Sequence, residues 1–153
     1  MIKIFLKDFI KTGKFGPLEI GSSKEDVIDF FGEDYDFGNF GETQIIKYGW
    51  WEFFYWTETK KVFAIQNDHL SYNCSHHVEM ISLNTNKVEM DTWFLKPDKH
   101  VTFDNVTKIL TEEKIDFKLD KFSKNDELDI LRLNDIKGNN FPSVGTRLKI
   151  KKK

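Results

Sequence analysis

The chain has 153 residues, of which 39% are apolar and 31% charged, so it can build one hydrophobic core and is too apolar for a disordered protein. No run approaches the ~20 apolar residues of a membrane span, no secretory signal peptide begins the chain, and the single cysteine, Cys74, excludes an intrachain disulfide. We therefore expect a single domain over residues 1–153, located in the cytoplasm and without membrane association.

The net charge of −2 is unevenly distributed along the chain. Between Glu25 and Glu58 nine acidic residues accompany one base, Lys47, a local charge of −8, whereas the end of the chain, RLKIKKK, is basic. Such asymmetry favours a face that is complementary to a basic partner. The alternative is a solvated acidic loop with a solubilising basic tail.

The first third of the chain predicts two helices. Residues 2–12 carry apolar side chains at helical spacing and are followed by glycines. Leu18 and Ile20 then alternate as in a short strand. The stretch GSSKEDVIDFFG predicts a second helix, capped by Ser22 or Ser23, with acidic residues in its first turn. The segment EDYDFGNFGE that follows predicts a loop.

A series of short strands should come next. The segments TQIIKYG, WWEFFYWT, KVFAIQND and HVEMISLN are rich in aromatic and β-branched residues and are separated by turn sequences, which predicts a four-stranded antiparallel meander. KVEMDTWFL predicts a further strand. Thr102 can cap a third helix with the apolar residues of TFDNVTKIL on one side, and IDFKLDKF, ELDILRLN and VGTRLKI predict the last strands.

Together these elements predict an α+β fold in which an antiparallel sheet of about six to eight strands packs with three helices. The segments SSKEDVIDFFGEDYDFG and HVTFDNVTKILTEEKIDFK share a pattern of cap, Val, apolar pair and acidic strand. This similarity suggests a diverged duplication of a helix-plus-strands unit with one shared sheet. The alternative is chance, since two amphipathic helices often share this much pattern.

The stretch YGWWEFFYW contains seven aromatic residues in nine positions. Because side chains alternate along a strand, Trp51, Phe53 and Tyr55 should share one face, as core. The other face should be at least partly wet and carries Trp50, Glu52, Phe54 and Trp56. That face is a candidate partner-binding surface. The alternative is that another segment covers it and that all seven aromatic residues are structural.

Candidate chemistry is sparse. The stretch HLSYNCSHH holds His69, Cys74, His76 and His77, residue types that bind zinc, but it lacks a Cys-x-x-Cys pair and adjacent histidines of a strand face opposite sides. No glycine-rich phosphate loop and no calcium-loop pattern is present. We predict no metal site, no cofactor and no catalytic residues, and therefore not an enzyme. Aromatic strands can stack bases, but the acidic surroundings argue against nucleic-acid binding.

The stretch FGPLEIGSSKEDVIDFFGE resembles the helix-starting motif of the β-lactamase inhibitor protein and of the small outer-membrane assembly lipoproteins, which pair helices with a curved sheet. Together with KYGWWEFFYW, VFAIQND, TFDNVTKIL and KIDFKLD, it also resembles small bacterial α+β immunity proteins of contact-dependent or polymorphic toxin systems. The resemblance spans about residues 13–133 and implies no catalytic residues. In contrast to the lipoproteins, we expect no signal peptide and no lipidation here, because charged residues interrupt the apolar residues of MIKIFLKDFIKTGKFG and no cysteine lies nearby.

The expected function is that of a bacterial immunity protein, which binds a cognate toxin domain and occludes its active site with an acidic and aromatic face. The residues expected to bind this partner are Glu33, Asp34, Asp36, Trp50, Glu52 and Trp56. The alternative, from another class, is a small-molecule or lipid-binding α+β domain with an aromatic-lined pocket.

Overall fold

The computed structural model describes residues 1–67, 75–121, 128–133 and 146–151, with side chains described for residues 1–67 and 75–117. The elements are, in order, β1 (Ile2–Phe5), α1 (Leu6–Thr12), α2 (Lys24–Phe31), β2 (Asp36–Asn39), β3 (Thr43–Tyr48), β4 (Trp51–Trp56), β5 (Val62–Gln66), α3 (His77–Ile81), β6 (Val88–Asp91), α4 (Phe103–Glu112), β7 (Phe117–Lys121), β8 (Leu128–Leu133) and β9 (Thr146–Lys151). The fold class is α+β, as predicted. Among these residues no helix is both long and apolar enough to cross a bilayer.

The strands lie in three sheets. β2, β3, β4 and β5 form an antiparallel meander, β7, β8 and β9 form a second antiparallel sheet, and β1 pairs with β6 in parallel. The prediction of one antiparallel sheet with six to eight strands is therefore wrong, because the largest described sheet has four strands and one pair is parallel. A parallel pair joins segments that are distant in sequence, and no local pattern reveals such a pairing.

The beginning of the chain is a strand followed by a helix, rather than the predicted helix over residues 2–12. Ile4 of β1 is buried and lies opposite Met90 of β6. The helix α1 begins only at Leu6 and ends at Gly13, whose φ of 76° is a left-handed conformation that glycine adopts without strain. Tertiary pairing with β6 thus overrides the helical spacing of the first apolar residues.

Three other local predictions are wrong. The predicted loop EDYDFGNFGE contains β2, which completes the meander beside β3. The predicted strand HVEMISLN forms α3, where His77 and Ile81 are buried four residues apart, as on one side of a helix. This makes four described helices in place of three. Around Leu18 the described chain forms a tight turn instead of a strand, with reciprocal backbone hydrogen bonds between Phe15 and Leu18.

The two predicted helix caps are confirmed. The Ser23 side chain accepts a hydrogen bond from the Asp26 backbone N–H, and the Asp26 carboxylate accepts one from the Ser23 N–H, which is a complete capping box. The Thr102 side chain accepts a hydrogen bond from the Asn105 backbone N–H at the start of α4. The last three predicted strands are also confirmed, as β7, β8 and β9.

The core lies against one face of the meander, and the alternation predicted for β4 is confirmed. Trp51, Phe53 and Tyr55 are at most 2% exposed, whereas Glu52, Phe54 and Trp56 are half-buried. The Phe15 ring lies 4.5 Å from the Trp51 ring, centroid to centroid. The Trp51 indole N–H donates to the Ile81 carbonyl over 2.7 Å, so α3 covers this face too.

A helix followed by an antiparallel sheet occurs twice, as α2 with β2–β5 and as α4 with β7–β9. The two sheets are separate, so the predicted shared sheet is wrong. The duplication itself remains a hypothesis, and so does the single domain over residues 1–153.

Candidate partner-binding surface

The face of the meander opposite the core carries a row of polar side chains across four strands. A two-residue turn, Gly49 and Trp50, joins β3 to β4 and sets Lys47 opposite Glu52, while β2 sets Asp36 on the other side of Lys47. Gly49 allows this tight turn because its φ is 57°. In β5, the Gln66 amide donates a 2.8 Å hydrogen bond to the Glu52 carboxylate. The strand register therefore gathers residues that are scattered in sequence.

Trp50 lies in the β3–β4 turn, beside Lys47 and Glu52 in the middle of this row. It belongs to the turn rather than to the strand, and its side chain is 43% exposed. The Lys47 ammonium lies 4.7 Å from the centre of the Trp50 ring, a cation–π contact worth ~0.5–1 kcal/mol at exposed sites. This contact orients an exposed indole beside Asp36 and Glu52.

Glu33 and Asp34 are exposed in the short connection between α2 and β2. This connection is attached to the sheet because the buried Tyr48 hydroxyl donates to the Gly32 carbonyl. Burial raises the pKa of Tyr48 to about 12, with smaller contributions from Tyr35 and from the Glu33 charge. Of the six predicted residues, Asp36 and Glu52 thus lie in the row, Trp50 in the turn beside it, and Glu33 and Asp34 in the connection that leads into β2.

Trp56 lies at the other end of β4, four residues and ~13 Å from Glu52 at the usual rise of a strand. It stacks on Phe63, with ring centroids 4.2 Å apart and planes 24° from parallel. It also borders an open depression of about 660 Å³, whose described walls are the turn residues Gly41, Glu42 and 57–59. The structure therefore separates Trp56 from the other five predicted residues.

Sequence reasoning missed Lys47 and Gln66 as members of the row. One signal for Lys47 is that it is the only base in residues 25–58. A two-residue turn at Gly49 and Trp50 predicts that it pairs with Glu52. Gln66 carried no such signal, because its position depends on a register shift between β4 and β5 near Phe54.

Of the nine acidic residues between positions 25 and 58, only Glu52 is half-buried and the others are exposed. Seven of them form two groups, and Glu42 and Glu58 lie in the turns at the other end of the meander. Near the start of α2, the hydrogen bonds from the Ser23 backbone and side chain lower the pKa of Asp26, and the Lys61 charge lowers it further against a small opposing effect of burial. The second group comprises two carboxylates of the row, Asp36 and Glu52, and two in the connection before β2, Glu33 and Asp34. The base of the row is Lys47. This second group is the more acidic surface.

Two of the four candidate metal ligands, His76 and His77, are among the described residues. His69 and Cys74 lie outside the described residues. His76 is exposed just before α3, with its Nδ1 3.5 Å from the Glu79 carboxylate, and His77 is buried in the first turn of α3. Within the described ranges no group of three or more His, Cys, Asp or Glu side chains is arranged to hold a metal ion.

Similarity to other proteins adds nothing to this geometry. Comparison with protein-family models, with curated proteins and with solved structures finds no match to the chain.

Proposed function

We propose that this protein is a bacterial immunity protein that acts in the cytoplasm, where it binds a cognate toxin domain and occludes the active site of that domain. The observation that carries the proposal is the row formed by Asp36, Lys47, Glu52 and Gln66, with the exposed Trp50 beside its middle and Glu33 and Asp34 in the connection that leads into β2. A tryptophan among carboxylates is a suitable anchor for a basic partner, because Trp often dominates interface energies and acidic surfaces steer basic partners.

The chemistry of a toxin partner fits this surface. A nuclease toxin must present cationic groups to hold phosphate, and an acidic protein surface competes for the same groups. Lys47 lies between Asp36 and Glu52 in the row, and its ammonium is turned towards the Trp50 ring, 4.7 Å from the ring centre. The row can therefore pair with two or more cations while the indole contacts apolar surface.

The test begins with the reading frame that adjoins the gene for this protein. Its product is co-expressed with the protein, and we expect the two to co-purify and the protein to relieve toxicity. Changing Glu33, Asp34 and Asp36 together to Lys should weaken binding at least about tenfold, since three attractive charges become repulsive. The measurement is a titration of the purified toxin domain with wild type and variant.

A matched variant distinguishes this surface from overall charge. Reversal of Glu25, Asp29 and Glu58 changes the net charge by the same amount at exposed positions away from the row. Its affinity for the toxin domain should remain within about threefold of wild type. Equal losses in both variants would reject the surface, and the absence of toxicity and of binding would reject the function.

The second candidate function, small-molecule or lipid binding, is favoured by one observation, the open depression beside Trp56. Its volume of about 660 Å³ lies within the range of ligand pockets, and Trp56 supplies an aromatic wall. Titration with fatty acids and aromatic metabolites, followed by the NMR signals of Thr57 and Thr59, tests this function. Saturable shifts there, with no toxin binding, would favour it over the immunity function.

A further inference from the structure

Among the described strands β2 lies at the edge of the meander and pairs with β3 alone. The Phe40 N–H donates to the Thr43 carbonyl over 2.9 Å, which identifies this pair as hydrogen-bonded in the β2–β3 hairpin. Hydrogen-bonded pairs alternate along an antiparallel ladder, so Asp36 and Gly38 also face β3, and the backbone groups of Phe37 and Asn39 point outward. In the portion of the chain that the structure describes, these outward N–H and C=O groups have no hydrogen-bond partner.

Two exposed phenylalanine rings border this edge. Phe37 is 53% exposed and projects towards the core-side face of the sheet, and Phe40 is 68% exposed on the opposite face. Gly38 makes room for the Phe40 ring, because a Cβ at this position would lie 2.9 Å from a ring carbon. A partner strand paired with β2 could therefore contact the Phe37 ring on one face of the sheet and the Phe40 ring on the other.

The charge around the edge is acidic. Residues 33–42 contain four acids, Glu33, Asp34, Asp36 and Glu42, and no Lys or Arg. Two cations make ring contacts near this edge: the Lys24 ammonium lies 5.5 Å from the centre of the Phe37 ring, and the Lys47 ammonium lies over Trp50. A stretch with four carboxylates and no base of its own favours a basic neighbour.

We infer that the outer edge of β2 accepts an extended, basic segment of a partner protein as an additional strand. The backbone of Phe37 and Asn39 would provide the hydrogen bonds, the two phenylalanine rings the apolar contacts, and the acidic residues the preference for Lys or Arg. A second copy of β2 fits less well, because its carboxylates would oppose those of the first copy. This inference deepens the proposed function and rests on it only for the identity of the partner.

A model peptide tests the edge without the toxin. The probe is an acetylated and amidated peptide of alternating Lys and Val, and the readout is amide hydrogen exchange of the protein, residue by residue. At saturation we expect exchange at Phe37 and Asn39 to slow by about tenfold or more, because these N–H groups become hydrogen-bonded. The same peptide with alternate backbone nitrogens methylated should lose this effect. Equal protection by both peptides, or protection elsewhere only, would overturn the inference.

Two pairs of variants separate backbone pairing from other effects. Phe37→Pro removes both the ring and the outward N–H without removing a bond to β3, and Phe37→Ala removes the ring alone. Peptide affinity should be lower for Phe37→Pro than for Phe37→Ala, with amide spectra confirming that both variants are folded. Asp36→Lys should also weaken binding, whereas Asp29→Lys on α2, with the same change in charge, should not.

The toxin domain and the protein alone provide the remaining measurements. Toxin binding that protects Phe37 and Asn39 supports both the inference and the proposed function. Toxin binding that protects other amides but not those of Phe37 and Asn39 supports the proposed function and overturns the inference that the toxin binds the β2 edge. Peptide binding at the edge without any toxin binding supports the edge and rejects the function. Dimerisation of the free protein that Phe37→Pro abolishes would assign the edge to a second copy and overturn the inference.

Discussion

At the scale of single residues, Tyr48 links the candidate surface to the core. Its buried ring lies 4.9 Å from the Phe31 ring, centroid to centroid. Its hydroxyl donates a hydrogen bond to the Gly32 carbonyl, at the start of the connection that contains Glu33. Because burial raises its pKa from 10.0 to about 12, the folded protein retains the phenolic proton to higher pH than the unfolded chain. The stability due to this group is present in full below pH 10 and is lost as the pH rises from about 10 to about 12.

Tyr48→Phe should therefore lower the free energy of unfolding at neutral pH by ~1 kcal/mol, the usual net value of one hydrogen bond. The variant should also show a smaller loss of stability above pH 10, because the group that titrates is gone. Urea unfolding of both proteins at pH 7.5 and at pH 11 measures the two effects. An equal loss of stability between these pH values in both proteins would contradict the assignment to Tyr48.

At the scale of elements, β4 separates two kinds of aromatic residue. Phe53 is fully buried and its ring lies 5.7 Å from that of Phe15, whereas Phe54 is half-buried on the opposite face, 6.1 Å from Phe63. One strand therefore contributes to the core and to the outer surface by simple alternation. The half-burial of Phe54 means that its ring already keeps part of its contact with water in the folded state.

Phe53→Ala should lower the free energy of unfolding by ~3–5 kcal/mol, the cost of an aromatic side chain removed from a packed core. Phe54→Ala on the neighbouring position should cost less than half of that amount, since less apolar area is lost. Chemical denaturation of the two variants gives the comparison. Similar losses would mean that both faces of β4 are packed to the same extent.

At the scale of the whole molecule, the charge distribution matters more than the net charge of −2. The carboxylates of Glu33, Asp34 and Asp36 are exposed within one short stretch, so their fields add outside the protein. Such a field accelerates encounter with a basic partner, and it acts over about 10 Å at ~0.1 M salt.

The association rate with the toxin domain should therefore fall as salt rises from about 50 to about 500 mM, while the dissociation rate changes less. In the variant with Lys at positions 33, 34 and 36, the association rate should be lower at low salt and should no longer fall as salt rises, because salt screens the repulsion that the three lysines introduce. Stopped-flow fluorescence of the tryptophans measures both rates. A salt dependence identical in wild type and variant would show that other charges steer the encounter.

The sequence by itself determined the features that depend on local chemistry. The capping of α2 by Ser23 and of α4 by Thr102 was predicted because a cap involves residues three apart. The two faces of β4 were predicted because side chains alternate along any strand. The same alternation assigned Glu52 and Trp56 to the face opposite the core, and their spacing of four residues along β4 already sets them apart.

Only the tertiary structure decided which segments pair. The strand at Ile2–Phe5 exists because β6 pairs with it, and HVEMISLN is helical with Ile81 placed to accept the Trp51 indole N–H. The row of Asp36, Lys47, Glu52 and Gln66 likewise depends on the registers of three strand pairs. Local spacing predicts which side chains share a face of one element. Which strands pair depends on segments that are distant in sequence and on the packing of the whole chain.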